Sequence, residues 1–154
     1  MLKIYVAGLM SGIEFKIVKE RFYPVIDELQ KSGFFVLHPM IGKENHFKDA
    51  TILSAVFSHP TPMTTNNAIT RRDHWMVFEA DIILMNLLDA KEKSIGCSME
   101  LAWGYAYKKH IITLMEKDNV HDHAFIRGVS DIILNNVEDA IKYLKEFTSI
   151  WKKE

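Results

Sequence analysis

Short apolar runs alternate with longer amphipathic segments along this chain. The runs are almost continuously apolar, which predicts strands buried on both faces of a sheet. They cover residues 2–7, 34–38, 81–87 and 110–115, with a weaker fifth run at 131–134. The segments with helical spacing predict helices over residues 15–31, 69–79, 97–109 and 137–151.

This alternation predicts an α/β three-layer sandwich, with a five-stranded parallel sheet between two layers of helices. Pro24 is expected to kink or divide the first helix, because it lacks a backbone N–H. Gly33 is a plausible stop for the same helix. Residues 39–67 predict a long loop, with a short helix around 50–57, and long loops in compact domains are often functional. Ligands of such folds bind beyond the carboxyl ends of the strands.

Composition narrows the class of protein. The 154 residues suit a single domain over 1–154, and 48% hydrophobic with 25% charged residues is ordinary for a soluble globular chain. The net charge of −1 gives no reason to expect a nucleic acid polymer as partner. The one cysteine, Cys97, excludes an internal disulfide and favours a reducing, cytoplasmic location. We expect neither a signal peptide nor a membrane span, since no apolar run reaches ~18 residues.

The segment from Ser94 to Glu100 is the most informative part of the sequence. Gly96 permits a tight turn that leads into a helix, and Glu100 then falls in or near the first helical turn. Backbone N–H groups and the helix dipole favour negative charge there, so Glu100 is expected to stay ionised, as a nucleophile must be. The alternative is that Glu100 only complements the dipole. Close packing of this helix on the sheet is predicted by the small residues Ala102, Gly104 and Ala106.

A second carboxylate stands beside an apolar stripe. Helical spacing places Asp73 on one side with Met76 and Val77, where it could donate a proton to a base or bind it. The alternative is a solvated aspartate paired with Arg71 or Arg72. Asp81, at the start of a strand, is expected to have a structural role only.

Other candidate features carry less information. The loop Gly8-Leu9-Met10-Ser11-Gly12 could bring backbone N–H groups to a phosphate or sugar, but it matches neither GxxxxGK[ST] nor GxGxxG. The seven histidines lack metal-ligand spacing, so we expect no metal site. Cys97 is either a reactive thiol at a helix start or, as we favour, a small buried one. The three tryptophans are expected in the core or in an interface.

Four blocks of sequence follow one another in order over residues 3–147. They are Tyr5-x-Ala7-Gly8, Arg72-Asp73, Ala80-Asp81-Ile82-Ile83 and Ser94-x-Gly96-x-x-Met99-Glu100-x-x-x-Gly104-x-Ala106. Together these blocks resemble the nucleoside 2-deoxyribosyltransferase family, which includes the 2'-deoxynucleoside 5'-phosphate N-hydrolases. The resemblance implies a flavodoxin-like (Rossmann-like) fold, an enzyme of nucleotide metabolism or salvage, a nucleoside or nucleotide as small-molecule substrate, and no cofactor.

The resemblance also implies roles for residues. Glu100 matches the family's nucleophile, which attacks the anomeric carbon and forms a covalent glycosyl-enzyme. Asp73 matches the aspartate that binds or protonates the departing base, and Tyr5 matches the tyrosine that orients the nucleophile. The expected substrate-binding residues are Gly8, Ser11, Gly12, Ser94, Gly96, His123, Phe125 and Arg127.

One departure from the family pattern bears on the substrate. Ser94 stands where the transferases carry an aspartate that holds the sugar 5'-hydroxyl, and this favours the branch that hydrolyses 5'-monophosphates. Residues 123–128 also resemble that branch, in which the segment reaches into the neighbouring subunit's site. The resemblance therefore implies a homodimer, or a higher homo-oligomer, with shared active sites. Leu9, however, replaces that branch's phosphate-binding serine, and Ser11 could compensate.

Several alternatives remain open at the level of sequence. The glycosyl group could pass to water, as in a hydrolase, or to a second base, as in a transferase; we favour water. A non-catalytic nucleotide-binding or sensor domain has the same fold class, because a fold does not determine a function. A flavin-binding electron carrier is a weaker third reading, since the first loop lacks a phosphate cradle rich in serine and threonine.

Overall fold

The computed structural model describes residues 1–43, 53 and 61–151, and every structural statement below concerns those residues. Five strands alternate with five helices in this part of the chain. Their order is β1 (Lys3–Gly8), α1 (Phe15–Lys31), β2 (Phe35–Leu37), α2 (Asn66–Glu79), β3 (Ile82–Asn86), α3 (Ile95–Ala106), β4 (His110–Leu114), α4 (Ala124–Val129), β5 (Ile132–Leu134) and α5 (Val137–Trp151).

The strands form one parallel sheet in the order β2-β1-β3-β4-β5. This is the flavodoxin-like strand order, in which the chain reverses its direction of winding beside β1. The predicted fold class is therefore confirmed. Loops after the carboxyl ends of β1 and β3 lie on either side of the reversal, which is where ligands of this fold bind.

Each face of the sheet is buried under helices because successive residues of a strand point to opposite sides. Ile4 and Val6 of β1 pack into a core with α1 and α5. Tyr5 and Ala7, the alternate residues, pack into a second core with α2 and α3. Any polar side chain on the Tyr5 side of β1 therefore faces α2 and α3, and the candidate site lies in that layer.

Helix boundaries differ from the sequence prediction in four places. The first helix is continuous through Pro24, so the prediction of a division is wrong, whereas Gly33 does follow its end, with φ at 92°. Helix α2 starts at Asn66, because Thr65 caps it by accepting a hydrogen bond from the Ala68 backbone N–H; the loop is shorter than predicted at this end. Helix α3 starts and ends earlier than predicted, and α4 was not predicted at all.

Parts of two other predictions are tested. The short helix expected around residues 50–57 lies, apart from residue 53, outside the described residues. Trp75 is 54% exposed, which excludes it from the core and leaves its predicted role in an interface open. Trp103 packs partly buried beside the second core.

Two glycines allow close approach, Gly104 between α3 and the sheet and Gly8 between β1 and β3. A Cβ on Gly104 would lie 2.2 Å from Ile83 Cδ1, and a Cβ on Gly8 would lie 2.7 Å from the Asn86 backbone oxygen. Close packing of α3 therefore depends on Gly104. Ala102 and Ala106 are exposed, so the prediction that they also pack on the sheet is wrong.

Candidate active site

The centre of the site is a hydrogen bond between a strand and a helix. The Tyr5 hydroxyl on β1 donates to Glu100 Oε1 on α3 at 2.7 Å, and both side chains are buried. Tyr5 faces α3 because alternate residues of β1 point to opposite faces of the sheet. Glu100 lies one turn before Gly104, where α3 packs closely on the sheet. The structure thus brings together two residues that are 95 positions apart in sequence.

The environment of Glu100 differs from the one expected. It lies in the second turn of α3, and the first turn contains no acidic residue, so the N–H groups at the helix start do not hold its charge. Burial raises the pKa of Glu100 to about 8; the Tyr5 hydrogen bond opposes this, and the charge of Asp73 adds to it. A pKa of about 8 favours the protonated form of Glu100 at neutral pH in the free protein, in contrast to the expected ionised carboxylate.

Asp73 is the second carboxyl of the site. It is buried on α2 with Met76 and Val77, as the spacing predicted. Lys43 Nζ lies 3.6 Å from Asp73 Oδ2, and Arg72 Nη2 lies 3.5 Å from Oδ1. Burial raises the pKa of Asp73 to about 6, while the charge and hydrogen bond of Arg72 oppose the rise. The alternative of a solvated aspartate is wrong, although its pairing with Arg72 is present.

Two cations complete this cluster, and neither was among the site residues predicted from sequence. The Lys43 side chain is 3% exposed and that of Arg72 is 16% exposed, which is unusual for charged groups without a role. The sequence signal for Lys43 was its place in the turn after β2, at the carboxyl edge of the sheet. Arg72 was part of the motif block Arg72-Asp73, but the only role considered for it was that of a partner of Asp73.

Ser94 and Gly96 form the start of α3. Ser94 is the N-cap, and its Oγ accepts a hydrogen bond from the Cys97 backbone N–H. The backbone N–H of Ser94 donates to His121 Nε2 at 2.7 Å, which ties the segment after β4 to this helix start. Gly96 lies inside the helix and has no positive φ, so the predicted tight turn at Gly96 is wrong. A Cβ there would meet no atom closer than Ser94 Oγ at 3.9 Å.

The residues expected from the 123–128 segment lie on the opposite side of α3 from Asp73. His123 caps α4 by accepting from the Phe125 backbone N–H, and the Phe125 ring is 77% exposed. Both line a pocket of about 350 Å³ together with Leu101 and Ala102 of α3. The structure therefore does not bring this segment to Glu100 of its own chain. Arg127 is bound through Nε and Nη2 by the carboxylate of Asp122.

The first loop contributes to another pocket. Ser11 and Gly12 line a pocket of about 450 Å³, with Arg21 and Lys91 as its cations and Asp89 and Glu92 as its acids. Gly8, by contrast, is the last residue of β1 and faces the β3 backbone. The first-loop residues and Glu100 belong to the same edge of the sheet, but the loop residues line a space of their own.

Three other findings on the described residues concern a thiol, metal-binding clusters and membrane-spanning helices. Cys97 is buried, and burial raises its pKa to about 12, so the favoured reading of an unreactive thiol is supported. Within the described part of the chain, no three His, Cys, Asp or Glu residues are grouped so as to hold a metal ion. None of the described helices is long and apolar enough to cross a membrane.

Comparison with known proteins supports the fold. The structure is similar to that of the CMP N-glycosidase BcmB of Clostridium botulinum, with a TM-score of 0.59 and 22% sequence identity over 94% of this chain and 98% of that chain. At this identity the likeness concerns the fold alone, and that fold is the one implied by the nucleoside 2-deoxyribosyltransferase resemblance. No curated protein matches the sequence.

The sequence itself matches one family model, over residues 2–113. This span starts just before β1 and ends within β4, and it includes Tyr5, Asp73 and Glu100. Because it covers more than half of the chain, the chain belongs to the family described as a domain of unknown function, DUF4406.

Proposed function

We propose that this protein cleaves the N-glycosidic bond of a nucleoside 5'-monophosphate, with Glu100 as nucleophile and water as the final acceptor. The observation that carries the proposal is the buried Tyr5–Glu100 hydrogen bond of 2.7 Å, beside the second carboxyl of Asp73. Two carboxyls with raised pKa values in one buried cluster are typical of a catalytic site. A binding module would have no need of them, which sets this proposal above a sensor domain.

The proposed reaction has two displacements. A Glu100 carboxylate oxygen attacks the anomeric carbon, the C–N bond breaks, and its electron pair leaves with the base, which takes a proton from Asp73. Water then attacks the anomeric carbon of the glycosyl ester, gives its proton to Asp73, and releases Glu100. Tyr5 holds the reacting carboxylate in position in both steps. The charge of the oxocarbenium-like transition state is stabilised by the adjacent carboxylate.

The two carboxyls share one proton in the active form. Glu100 must be ionised to attack and Asp73 must be protonated to donate, and their mutual repulsion favours a singly protonated pair. In the free protein the proton lies mainly on Glu100, since its pKa is the higher of the two. The form with the proton on Asp73 is then the minor but reactive state of the pair.

Two observations support a 5'-monophosphate and hydrolysis. Ser94 puts an uncharged hydroxyl, rather than an aspartate, at the start of α3, where a second anion would repel a phosphate. The structurally similar BcmB is named a CMP N-glycosidase. We take deoxyribose as the sugar from the family resemblance.

We further propose a homodimer in which each site is completed by the partner's segment 123–128. His123 and Phe125 are exposed and lie away from Glu100 of their own chain. Large apolar side chains are exposed on the same helical layer, which is typical of a protein interface. They are Trp75, Phe78, Ile95, Met99, Tyr105 and Phe125.

The test is a substrate panel of deoxynucleosides and their 5'-monophosphates, with and without added adenine or cytosine, read as free base by chromatography. We expect free base from the monophosphates and no dependence on added base. A new nucleoside formed only with added base would establish a transferase instead. Binding of nucleotides that raises the melting temperature without turnover would establish the binding module.

Two variants make the panel specific to the site. Glu100→Ala is expected to abolish base release, whereas Glu146→Gln, an exposed carboxyl on α5, should leave it unchanged. Ser94→Asp keeps a good N-cap for α3 but adds a charge, so it should weaken the monophosphate reaction selectively. Base release at wild-type rates by Glu100→Ala would end the proposed mechanism.

A further inference from the structure

Arg72 is a side chain of the site with unused hydrogen-bonding capacity. A guanidinium carries five N–H donors on three nitrogens. Nη2 lies 3.5 Å from Asp73 Oδ1, a long contact. Nε and Nη1 are buried, and neither has a hydrogen-bond partner among the residues that the structure describes. Buried donors without acceptors are costly and rare, so two of them on one charged group point to an acceptor that the described residues do not supply.

The position of Arg72 decides which part of a substrate supplies that acceptor. Asp73, the proposed proton donor to the departing base, lies between Arg72 on one oxygen and Lys43 on the other. The residue of the same chain that is proposed for the 5' end of the substrate, Ser94, is at the start of α3 and not on α2. An acceptor beside Arg72 would therefore belong to the base and not to the phosphate.

We propose that Arg72 binds the carbonyl oxygen next to the glycosidic nitrogen of a pyrimidine base, and so selects bases with such a carbonyl over adenine. This inference rests on the proposed function of the site. When the C–N bond breaks, its electron pair passes to the ring nitrogen and is delocalised onto that oxygen. A fixed cationic donor stabilises the oxygen most when the charge has developed, so Arg72 lowers the barrier as well as binding the base. Adenine has only a ring nitrogen at the corresponding place.

The kinetic test compares Arg72→Lys and Arg72→Ala with the matched control Arg71→Ala, which alters the exposed neighbour on the same helix. We expect kcat/KM for uracil and cytosine substrates to fall about 100-fold or more in both Arg72 variants, as for removal of a donor to a developing oxyanion. The loss should be smaller for 5-fluorouracil, because it leaves more easily, and smallest for adenine. If Arg72 only positions Asp73, kcat/KM should fall by the same factor for all substrates. That result would overturn the proposal.

Binding of free bases tests the subsite without turnover. Titration calorimetry with uracil and with adenine is done on the wild type, Arg72→Lys and Arg71→Ala, after thermal melts have shown each to be folded. We expect uracil to bind more tightly than adenine to the wild type and Arg71→Ala, and this preference to be lost in Arg72→Lys.

The two measurements separate the subsite from the proposed function. Arg72-dependent uracil binding by a wild type that cleaves no substrate would support the subsite and refute the proposed function. In another outcome, the wild type cleaves the substrates while Arg72→Lys shows the same affinity for uracil and the same dependence on the leaving group. That result would overturn the subsite and leave the proposed function standing. A wild type that shows no preference for uracil over adenine would also overturn it.

Discussion

At the scale of single residues, the proposed reaction depends on the protonation of Glu100 and Asp73. Their pKa values, about 8 and about 6, bracket neutral pH. The pair is doubly protonated below this range and doubly ionised above it, and neither form can both attack and donate. We therefore expect a bell-shaped pH dependence of kcat/KM with limbs near 6 and 8.

The variant Asp73→Asn separates the two limbs. Its residual activity should rise with pH to a plateau without a descending limb, because only ionisation of Glu100 remains. The midpoint should lie below 8, since the charge of Asp73 raises the pKa of Glu100 in the wild type. Initial rates between pH 4.5 and 9.5 measure this, and a bell that persists in Asp73→Asn would contradict the assignment.

Burial of Glu100 also makes stability depend on pH. The pKa of Glu100 rises from an ordinary value of 4.5 to about 8 in the folded protein. Between those values the folded state holds a proton that the unfolded state has released, so the free energy of unfolding falls as pH rises. Glu100→Gln removes this dependence while its side-chain oxygen can still accept from Tyr5. It should gain stability relative to wild type by a few kcal/mol between pH 5 and pH 8.5, measured by urea unfolding.

Glu146→Gln is the control for that measurement, because Glu146 is exposed on α5. Its stability relative to the wild type should be nearly the same at both pH values. If Glu100→Gln likewise shows a constant difference, then Glu100 is not protonated in the folded protein at neutral pH.

At the scale of elements, α3 carries Glu100 and its packing sets where that carboxyl lies. Gly104→Ala places a Cβ 2.2 Å from Ile83 Cδ1, in a core where Ile83 is fully buried. Overpacking of this kind costs about 1–3 kcal/mol. It should also reduce kcat, because a shift of α3 away from the sheet would carry Glu100 away from Tyr5. Urea unfolding and initial rates measure the two effects.

Gly96→Ala is the matched control on the same helix. The added Cβ meets no atom within 3.9 Å. Alanine has the better helix propensity, so its stability should be unchanged or up to about 1 kcal/mol higher. Equal destabilisation by both variants would show that close packing at Gly104 is not what holds α3.

At the scale of the whole molecule, the proposed dimer makes each active site depend on two chains. Glu100→Ala and His123→Ala proteins should each be weakly active or inactive on a monophosphate. Mixed under conditions that exchange subunits, they form heterodimers with one intact and one doubly altered site, so activity should recover to about a quarter of wild type. Light scattering should show a dimer before mixing.

The contrary outcomes of the mixing experiment are equally specific. Activity that never exceeds the mean of the two variants would place His123 and Glu100 of one chain in the same site, or His123 outside any site. A monomer in light scattering would contradict the shared site directly. The exposed Phe125 and Ile95, 77% and 79% accessible in the single chain, would then need another partner.

The sequence by itself determined the fold and the central pair of residues. Runs of apolar residues between helical segments specify buried parallel strands. A strand buried on both faces has apolar side chains at successive positions and does not alternate between apolar and polar ones. Glu100 and Tyr5 were identified from sequence by their motif blocks, and the structure joins them in one hydrogen bond. Gly33 was predictable too, because its positive φ is a local requirement of the helix end.

Tertiary structure alone decided the charges and partners of the site. The sequence placed Glu100 near the start of a helix, but whether its carboxyl is ionised depends on burial against β1 and on Asp73, which come from distant parts of the chain. The roles of Lys43 and Arg72 follow from the same folding of separate segments onto Asp73. Local propensity acts within a turn or two of chain, whereas desolvation and Coulomb energy depend on which distant segments are brought together.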